Sequence, residues 1–231
     1  MSELRRNQLL WLTEAGWQAM LASDQFKSQP STQAVLSHWC LHQLPVVLTR
    51  QPTDMAIDQL GVGLPAPTQW RRRKFALRVS ANEIQCAKEF PTLSQIATAN
   101  TWGKAAFELD AALFQSGVQA RVYGSFGWQF LTRLAYVHAA SDLDLSLQVM
   151  HLDQARQVLV ILTQAKLPQR LDGEVVFANG QAVAWRELAQ LLAGQVSQIL
   201  MKDRDRVALL NLEDLRAIAC GERETLHAGL A

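Results

Sequence analysis

Cysteine is scarce in this chain of 231 residues: Cys40, Cys86 and Cys220 are the whole complement of three. An odd number without paired metal-type spacing excludes a disulfide framework and a cysteine zinc site, and fits reduced thiols in a cytoplasmic protein. Long apolar runs are also missing, since none approaches the roughly 20 residues that span a bilayer. Met1 to Asn7 is polar and charged, and the next apolar run is interrupted by Thr13 and Glu14, so no secretory signal is expected. Nor is there an excess of one charge. The 22 basic and 21 acidic residues give a net +1 and a pI near 7.8, which leaves no global signature for nucleic acid. There is no internal repeat or low-complexity tract, and no Gly-x-Ser-x-Gly elbow, Walker lysine loop or dinucleotide fingerprint. His38 and His42 have a zinc-compatible i, i+4 spacing, but Trp39 stands where a metalloprotease helix has Glu and no third ligand accompanies them, so a plain helix face is expected.

What is present is a 49% hydrophobic composition, enough for one large or two small domains, and one informative stretch, Val122 to Val149. It opens as a short apolar strand, breaks at Gly124-Ser125, passes through an amphipathic segment and returns as a strand in which acids alternate with leucines. Alternation puts Asp142, Asp144 and Ser146 on one face and Leu143, Leu145 and Leu147 on the other, towards a core. Two carboxylates about 7 Å apart on one strand face repel each other, which makes sense if divalent cations sit between them. All-oxygen ligands suit Mg²⁺, which takes the rest of its shell from water and substrate phosphates. The glycine permits an unusual turn, and Ser125 is placed to cap a helix from Phe126 to Arg133, whose start favours an anion such as a triphosphate. An Asp-x-Asp strand alone is commonly a solvated sheet edge, and Gly-Ser alone an ordinary turn. The order strand, Gly-Ser, helix, Asp-x-Asp strand is what points to nucleotidyl transfer.

Tyr123-Gly124-Ser125, Trp128-Gln129, Leu131-Thr132 and Ser141-Asp142-Leu143-Asp144-Leu145 resemble the malonate decarboxylase holo-acyl-carrier-protein synthase family, also called phosphoribosyl-dephospho-CoA transferases. The resemblance implies a polymerase-β-like nucleotidyltransferase fold. It also implies transfer of a 2'-(5''-phosphoribosyl)-3'-dephospho-CoA group to a serine of the malonate decarboxylase acyl carrier protein, with release of diphosphate. The gap from Gly124-Ser125 to Asp142 is longer than the superfamily's usual spacing, so the helix or its following loop is extended. Members of the superfamily add a third carboxylate from a later strand. The segment Gln169 to Phe177 offers Asp172 and Glu174, which share a strand face, and the sequence does not separate them.

The fold expected is α+β, a nucleotidyltransferase-like mixed sheet flanked by helices with a smaller α/β N-terminal domain. Residues 1–90 form the N-terminal domain, for donor or carrier recognition, and 91–231 the catalytic domain. Helical spacing of apolar residues is read from Leu9 to Leu21 and from Thr32 to His42, with strands near Pro45–Arg50, Met55–Val62 and Phe75–Val79 and a loop at Gly61–Pro67. Glu89 to Asn100 lacks a clear period. Helices follow at Trp102–Phe114, closed by Gly117, and at Leu152–Gln164 and Ala184–Ala193, with strands at Gln119–Tyr123 and Ser197–Met201 and a turn at Asn179-Gly180.

Arg71-Arg72-Arg73-Lys74 is the densest basic cluster, either a solvated strand start or a docking surface for donor phosphates or an acidic carrier. Lys202, leaving a strand end, is assigned to charge on the departing diphosphate, against a default of solvated ion pairs with Asp203 and Asp205. Trp128 reads as core and His138 as a loop histidine. The catalytic set is therefore Asp142, Asp144, Asp172 and Glu174, with Mg²⁺ on Asp142 and Asp144, and with Gly124, Ser125, Lys202 and Arg73 binding substrate. Two other readings stand beside it: a nucleotidyltransferase using an ordinary nucleoside triphosphate, and a non-catalytic carrier- or nucleotide-binding module.

Overall fold

The computed structural model describes residues 4–23, 26, 29–51 and 55–219, so Cys220 lies outside the described residues. The chain is a mixed α+β protein with two sheets that fall into two compact units. The first unit takes the described residues up to Pro91 together with Tyr123–Ser141 and Arg204–Arg206. The second takes Thr92–Val122, Asp142–Asp203 and the described residues from Val207.

In the first unit, β1 (Leu9–Leu12), β2 (Val46–Leu48), β3 (Gln59–Pro65), β4 (Lys74–Ser80) and β5 (Ile84–Lys88) form an antiparallel sheet in the order β4-β3-β2-β1-β5. Leu9 to Leu12 was expected to be helical and is a strand, because a short apolar run satisfies either period and pairing with β2 and β5 decides it. The helix α1 (Glu14–Ala22) starts only after Thr13, whose side chain accepts from the Gly16 N–H at 3.1 Å and whose hydroxyl hydrogen-bonds the Glu83 carboxylate. Helix α2 (Pro30–Leu41) has proline in its first turn, where the missing N–H is not needed. The expected loop at Gly61–Pro67 is strand as far as Pro65. A Cβ on Gly63 would lie 2.9 Å from Thr49 Cγ2, so the glycine belongs to tight sheet packing and not to a turn.

In the second unit, α3 (Leu93–Ala99) occupies the stretch where no period was evident. It opens with a reciprocal capping box between Thr92 and Gln95. Helix α4 (Lys104–Gln115) ends at Gly117, whose φ of 79° lies in the left-handed region. Strands β6 (Ala120–Val122), β7 (Leu143–Val149), β8 (Leu171–Phe177), β9 (Ala182–Ala184), β10 (Ile199–Lys202) and β11 (Val207–Leu210) lie in the order β11-β10-β9-β8-β7-β6. All neighbours are antiparallel except β7 and β8, which are parallel and joined by the crossover helix α6 (Leu152–Gln164). Helices α7 (Trp185–Leu192) and α8 (Leu212–Ala219) complete the unit.

Helix α5 (Gly124–Thr132) is the expected motif helix, but it belongs with the first unit, whereas a single cut near residue 90 would have put it with the catalytic domain. Its Trp128 is buried with Leu9, Phe90 and Tyr136, edge-on to Phe90 at 5.7 Å and stacked on Tyr136 at 6.4 Å between ring centres. The return of the chain is fixed by Gln129, whose Oε1 accepts from the N–H groups of Tyr136 and Val137 at 3.1 and 3.0 Å, and by Tyr136 Oη donating to the Pro65 carbonyl at 2.7 Å. Ser125 is not the cap: the helix begins one residue earlier, at Gly124, which takes a φ of 59°, and Tyr123 holds the cap position without a side-chain bond.

Candidate active site

The Asp-x-Asp strand folds as its alternation dictates. Leu143, Leu145, Leu147 and Val149 are fully buried, each contributing roughly 1.5–3 kcal/mol, while Asp144 and Ser146 face the other way. Burial of that many leucines on one face fixes the register, because a slip of one residue would turn them all outward.

The parallel ladder then does what spacing along one strand cannot: it sets Asp144 beside Asp172 and Ser146 beside Glu174. The close neighbour of Asp144 is thus a residue 28 positions on, on the next strand. Asp142, one residue before β7, is held by Arg170, one residue before β8. Arg170 Nε donates to Asp142 Oδ1 at 2.8 Å and Nη2 makes a second bond to Oδ2, a two-pronged grip that fixes the carboxylate plane. The same guanidinium lies 3.9 Å from Asp172 Oδ2. Asp142, Asp144, Asp172 and Arg170 therefore form one cluster at the start of the parallel strand pair.

The electrostatics follow from this placement. Burial pushes the Asp144 carboxyl up to about 6, and the neighbouring charges of Asp172 and Asp142 push it the same way, only partly offset by Arg170. The Arg170 guanidinium is held still more firmly protonated by its bonds to Asp142. Asp142, Asp144 and Asp172 offer only carboxylate oxygens, the donor type that suits a hard cation. Among the described residues, no group of three or more His, Cys, Asp or Glu is already gathered in metal-holding geometry.

Glu174 has a different environment. It is buried, and its carboxylate accepts from Lys202 Nζ at 2.9 Å. Asp172 is partly open to solvent and its Oδ1 accepts from the Gly173 N–H at 2.8 Å. Gly173, between the two acids, has a φ of 127°, and a Cβ there would sit 2.0 Å from the Leu145 carbonyl oxygen, so only glycine lets β8 pair with β7.

The remaining expected residues lie as follows. Gly124 and Ser125 form the start of α5 in the first unit. Arg73, also in the first unit, donates to Ser31 Oγ at 2.9 Å and packs over the Phe75 ring at 4.8 Å. His138 is exposed, its Nδ1 accepting from the Ala140 N–H. His38 and His42 lie ring to ring at 4.3 Å on α2, and burial followed by His42 lowers the His38 pKa. Arg170 is the site residue that the sequence alone did not single out. Its signal is register: it stands one residue before β8 as Asp142 stands one residue before β7.

Comparison with known proteins defines first the class, a transferase enzyme. Residues 91–213 match the family model described as the phosphoribosyl-dephospho-CoA transferase MdcG C-terminal domain, and residues 5–90 match that of the MdcG N-terminal domain. A phosphoribosyl-dephospho-CoA transferase of Bradyrhizobium diazoefficiens is 32% identical over 220 residues, 94% of each chain. One of Xanthomonas campestris pathovar campestris is 33% identical over 212 residues, 89% of this chain and 93% of the relative. The chain belongs to the phosphoribosyl-dephospho-CoA transferase family. No solved structure matches it. Among the described residues, no helix is long and apolar enough to cross a membrane.

Proposed function

We propose that this transferase moves the 2'-(5''-phosphoribosyl)-3'-dephospho-CoA group from its triphosphate precursor to a serine of the malonate decarboxylase acyl carrier protein in the cytoplasm, with release of diphosphate. Family membership along most of the chain supports the donor. The observation that carries the chemistry is the Asp142, Asp144, Asp172 cluster, with the half-buried Asp144 carboxyl pushed up to about 6 by burial and then by its acidic neighbours. The order β6, Gly124-Ser125, α5, β7 supports placing the enzyme among polymerase-β-like nucleotidyltransferases.

The residues fit Mg²⁺. The donors are all oxygen, they are adjacent and mutually repelling, and Mg²⁺ commonly uses one or two carboxylates and completes its shell with water and substrate phosphate. Asp144 and Asp142 would hold it, with Asp172 alongside. Bound there, it supplies positive charge to the oxygens of the transferring phosphoryl group. Arg170 orients Asp142 through its two bonds to that carboxylate. Asp172, partly open and beside Asp144, is the better placed acid to accept the serine hydroxyl proton, since Glu174 is buried and committed to Lys202. Lys202 accordingly acts by holding the Glu174 carboxylate in place through its 2.9 Å contact. The Gly124-Ser125 turn, which follows β6 along the chain, is assigned to the diphosphate end of the donor from its place in the motif.

The test is diphosphate release and carrier mass after mixing the protein with apo-carrier, Mg²⁺ and the triphosphoribosyl-dephospho-CoA donor, with Asp142→Ala alongside. A carrier mass gain equal to the prosthetic group, absent in the variant, is expected. An unmodified carrier with turnover of an ordinary nucleoside triphosphate would instead keep the acid site and reject the donor.

A further inference from the structure

A concave site lies within the first unit. Ser31, Gln69, Trp70, Arg71 and Arg73 line a cavity of about 370 Å³. That volume falls within the range of small-molecule sites, roughly 300–1,000 Å³, and is far too small to seat the face of a folded protein. Two guanidinium groups converge on it in a protein whose net charge is only +1, so the positive charge is local. Arg73 is fixed in place: it donates to Ser31 and packs over Phe75. Trp70 is backed by His38 at 5.3 Å and Trp39 at 6.1 Å between ring centres, which gives the indole a rigid seat. Burial, and then His42, lowers the His38 pKa.

The backbone supports the same reading. After the 3-10 turn Thr68–Trp70, Arg71 and Arg72 take φ values of 58° and 53°, a conformation that ordinary side chains adopt rarely and that clusters at functional sites. This strained turn presents Gln69, Trp70 and Arg71 to one cavity.

An aromatic platform, an amide, a hydroxyl and two guanidinium groups are together the complement of a purine nucleotide: the ring packs on an indole, its edge meets an amide, and phosphate oxygens meet arginine. We infer that this cavity binds the adenine and diphosphate portion of a CoA-derived nucleotide, with Trp70 under the base and Arg71 and Arg73 on the phosphates. The inference rests on the donor class proposed above, and it gives the basic cluster Arg71–Lys74 a small-molecule ligand instead of an acidic protein.

The test is binding of 3'-dephospho-CoA to the full chain in EDTA, followed by tryptophan fluorescence and calorimetry, so that neither a metal nor turnover enters. Wild type is expected to bind with a change in fluorescence that Trp70→Phe removes. Arg71→Asn, chosen because Asn tolerates positive φ, and Arg73→Gln are each expected to weaken binding about tenfold. Adenosine, lacking the phosphates, should bind at least about tenfold more weakly. No binding by wild type, or undiminished affinity in an Arg71→Asn, Arg73→Gln double variant with a native circular dichroism spectrum, overturns the site. Double-variant protein that binds dephospho-CoA normally but fails to modify the carrier also overturns it, and would assign the cluster to the acceptor. Failure of the proposed transfer reaction is separate: it shows as an unmodified carrier with wild-type protein, whatever the result of the binding titration.

Discussion

Replacing Asp144 by Asn should stabilise the protein while abolishing its activity. In the folded chain this carboxyl titrates near 6 instead of 3.8, mainly through burial and then through Asp172 and Asp142. A folded-state pKa above the unfolded value means that the native protein binds this proton more tightly. The stabilisation from protonation is therefore fully present below about 3.8 and is lost as pH rises through about 6. Each tenfold in proton affinity is about 1.4 kcal/mol, so at pH 7.5 the ionised Asp144 destabilises the fold by about 3 kcal/mol, and at pH 4 by only a small fraction of that. Asn has nearly the same shape and no charge. Urea unfolding in EDTA should thus give Asp144→Asn about 2–3 kcal/mol more stability than wild type at pH 7.5 and under about 1 kcal/mol more at pH 4. Adding Mg²⁺ at pH 7.5 should stabilise wild type and not the variant, while carrier modification falls by several orders of magnitude. Equal stabilities at pH 7.5, or a variant less stable than wild type, would refute the account of a strained carboxylate.

Arg170→Gln removes the two-pronged grip on Asp142, and because the guanidinium is largely exposed, stability should be close to that of wild type while turnover drops about 100-fold; unfolding and rate assays in parallel check it. Gly173→Ala should prevent β8 from pairing with β7 and destabilise the protein by at least about 4 kcal/mol, read as loss of soluble, cooperatively unfolding protein. Lys202→Met removes the cation that contacts buried Glu174 and should destabilise by about 2 kcal/mol at neutral pH, whereas Lys202→Met with Glu174→Gln should recover most of it in a thermal melt.

The catalytic strand was readable because alternation is a local property. Asp144 and the leucines beside it announce their faces, and the helix Leu152–Gln164 that follows is periodic enough for its bounds to be seen. What could not be read was anything set by pairing. Leu9–Leu12 satisfies two periods, and only its neighbours β2 and β5 make it a strand. Gly63 looks like a loop residue until Thr49 is seen pressed against the position where its side chain would be. Asp172 and Glu174 are equivalent in sequence, yet the register brings one to Asp144 and Lys202 takes the other. Arg170 carries no motif at all, because its meaning arises from a residue 28 positions earlier. The helix Leu93–Ala99 was missed, because hydrophobic periodicity passes over the capping signal that Thr92 and Gln95 carry.

The burial of Trp128 and Tyr136 against Leu9 and Phe90 has a consequence for how the gene can be cut. One family model ends at residue 90, which invites expression of residues 5–90 as an independent piece. Yet the first unit takes back Tyr123–Ser141 and Arg204–Arg206 from far downstream, so that piece would leave ribosomes without the helix that closes its second apolar cluster. Leu9 and Phe90 would face water on a sheet of five strands, a surface that favours association over folding. The nascent chain meets the same condition until residue 141 has emerged, so its first ninety residues must wait for their own lid to be synthesised.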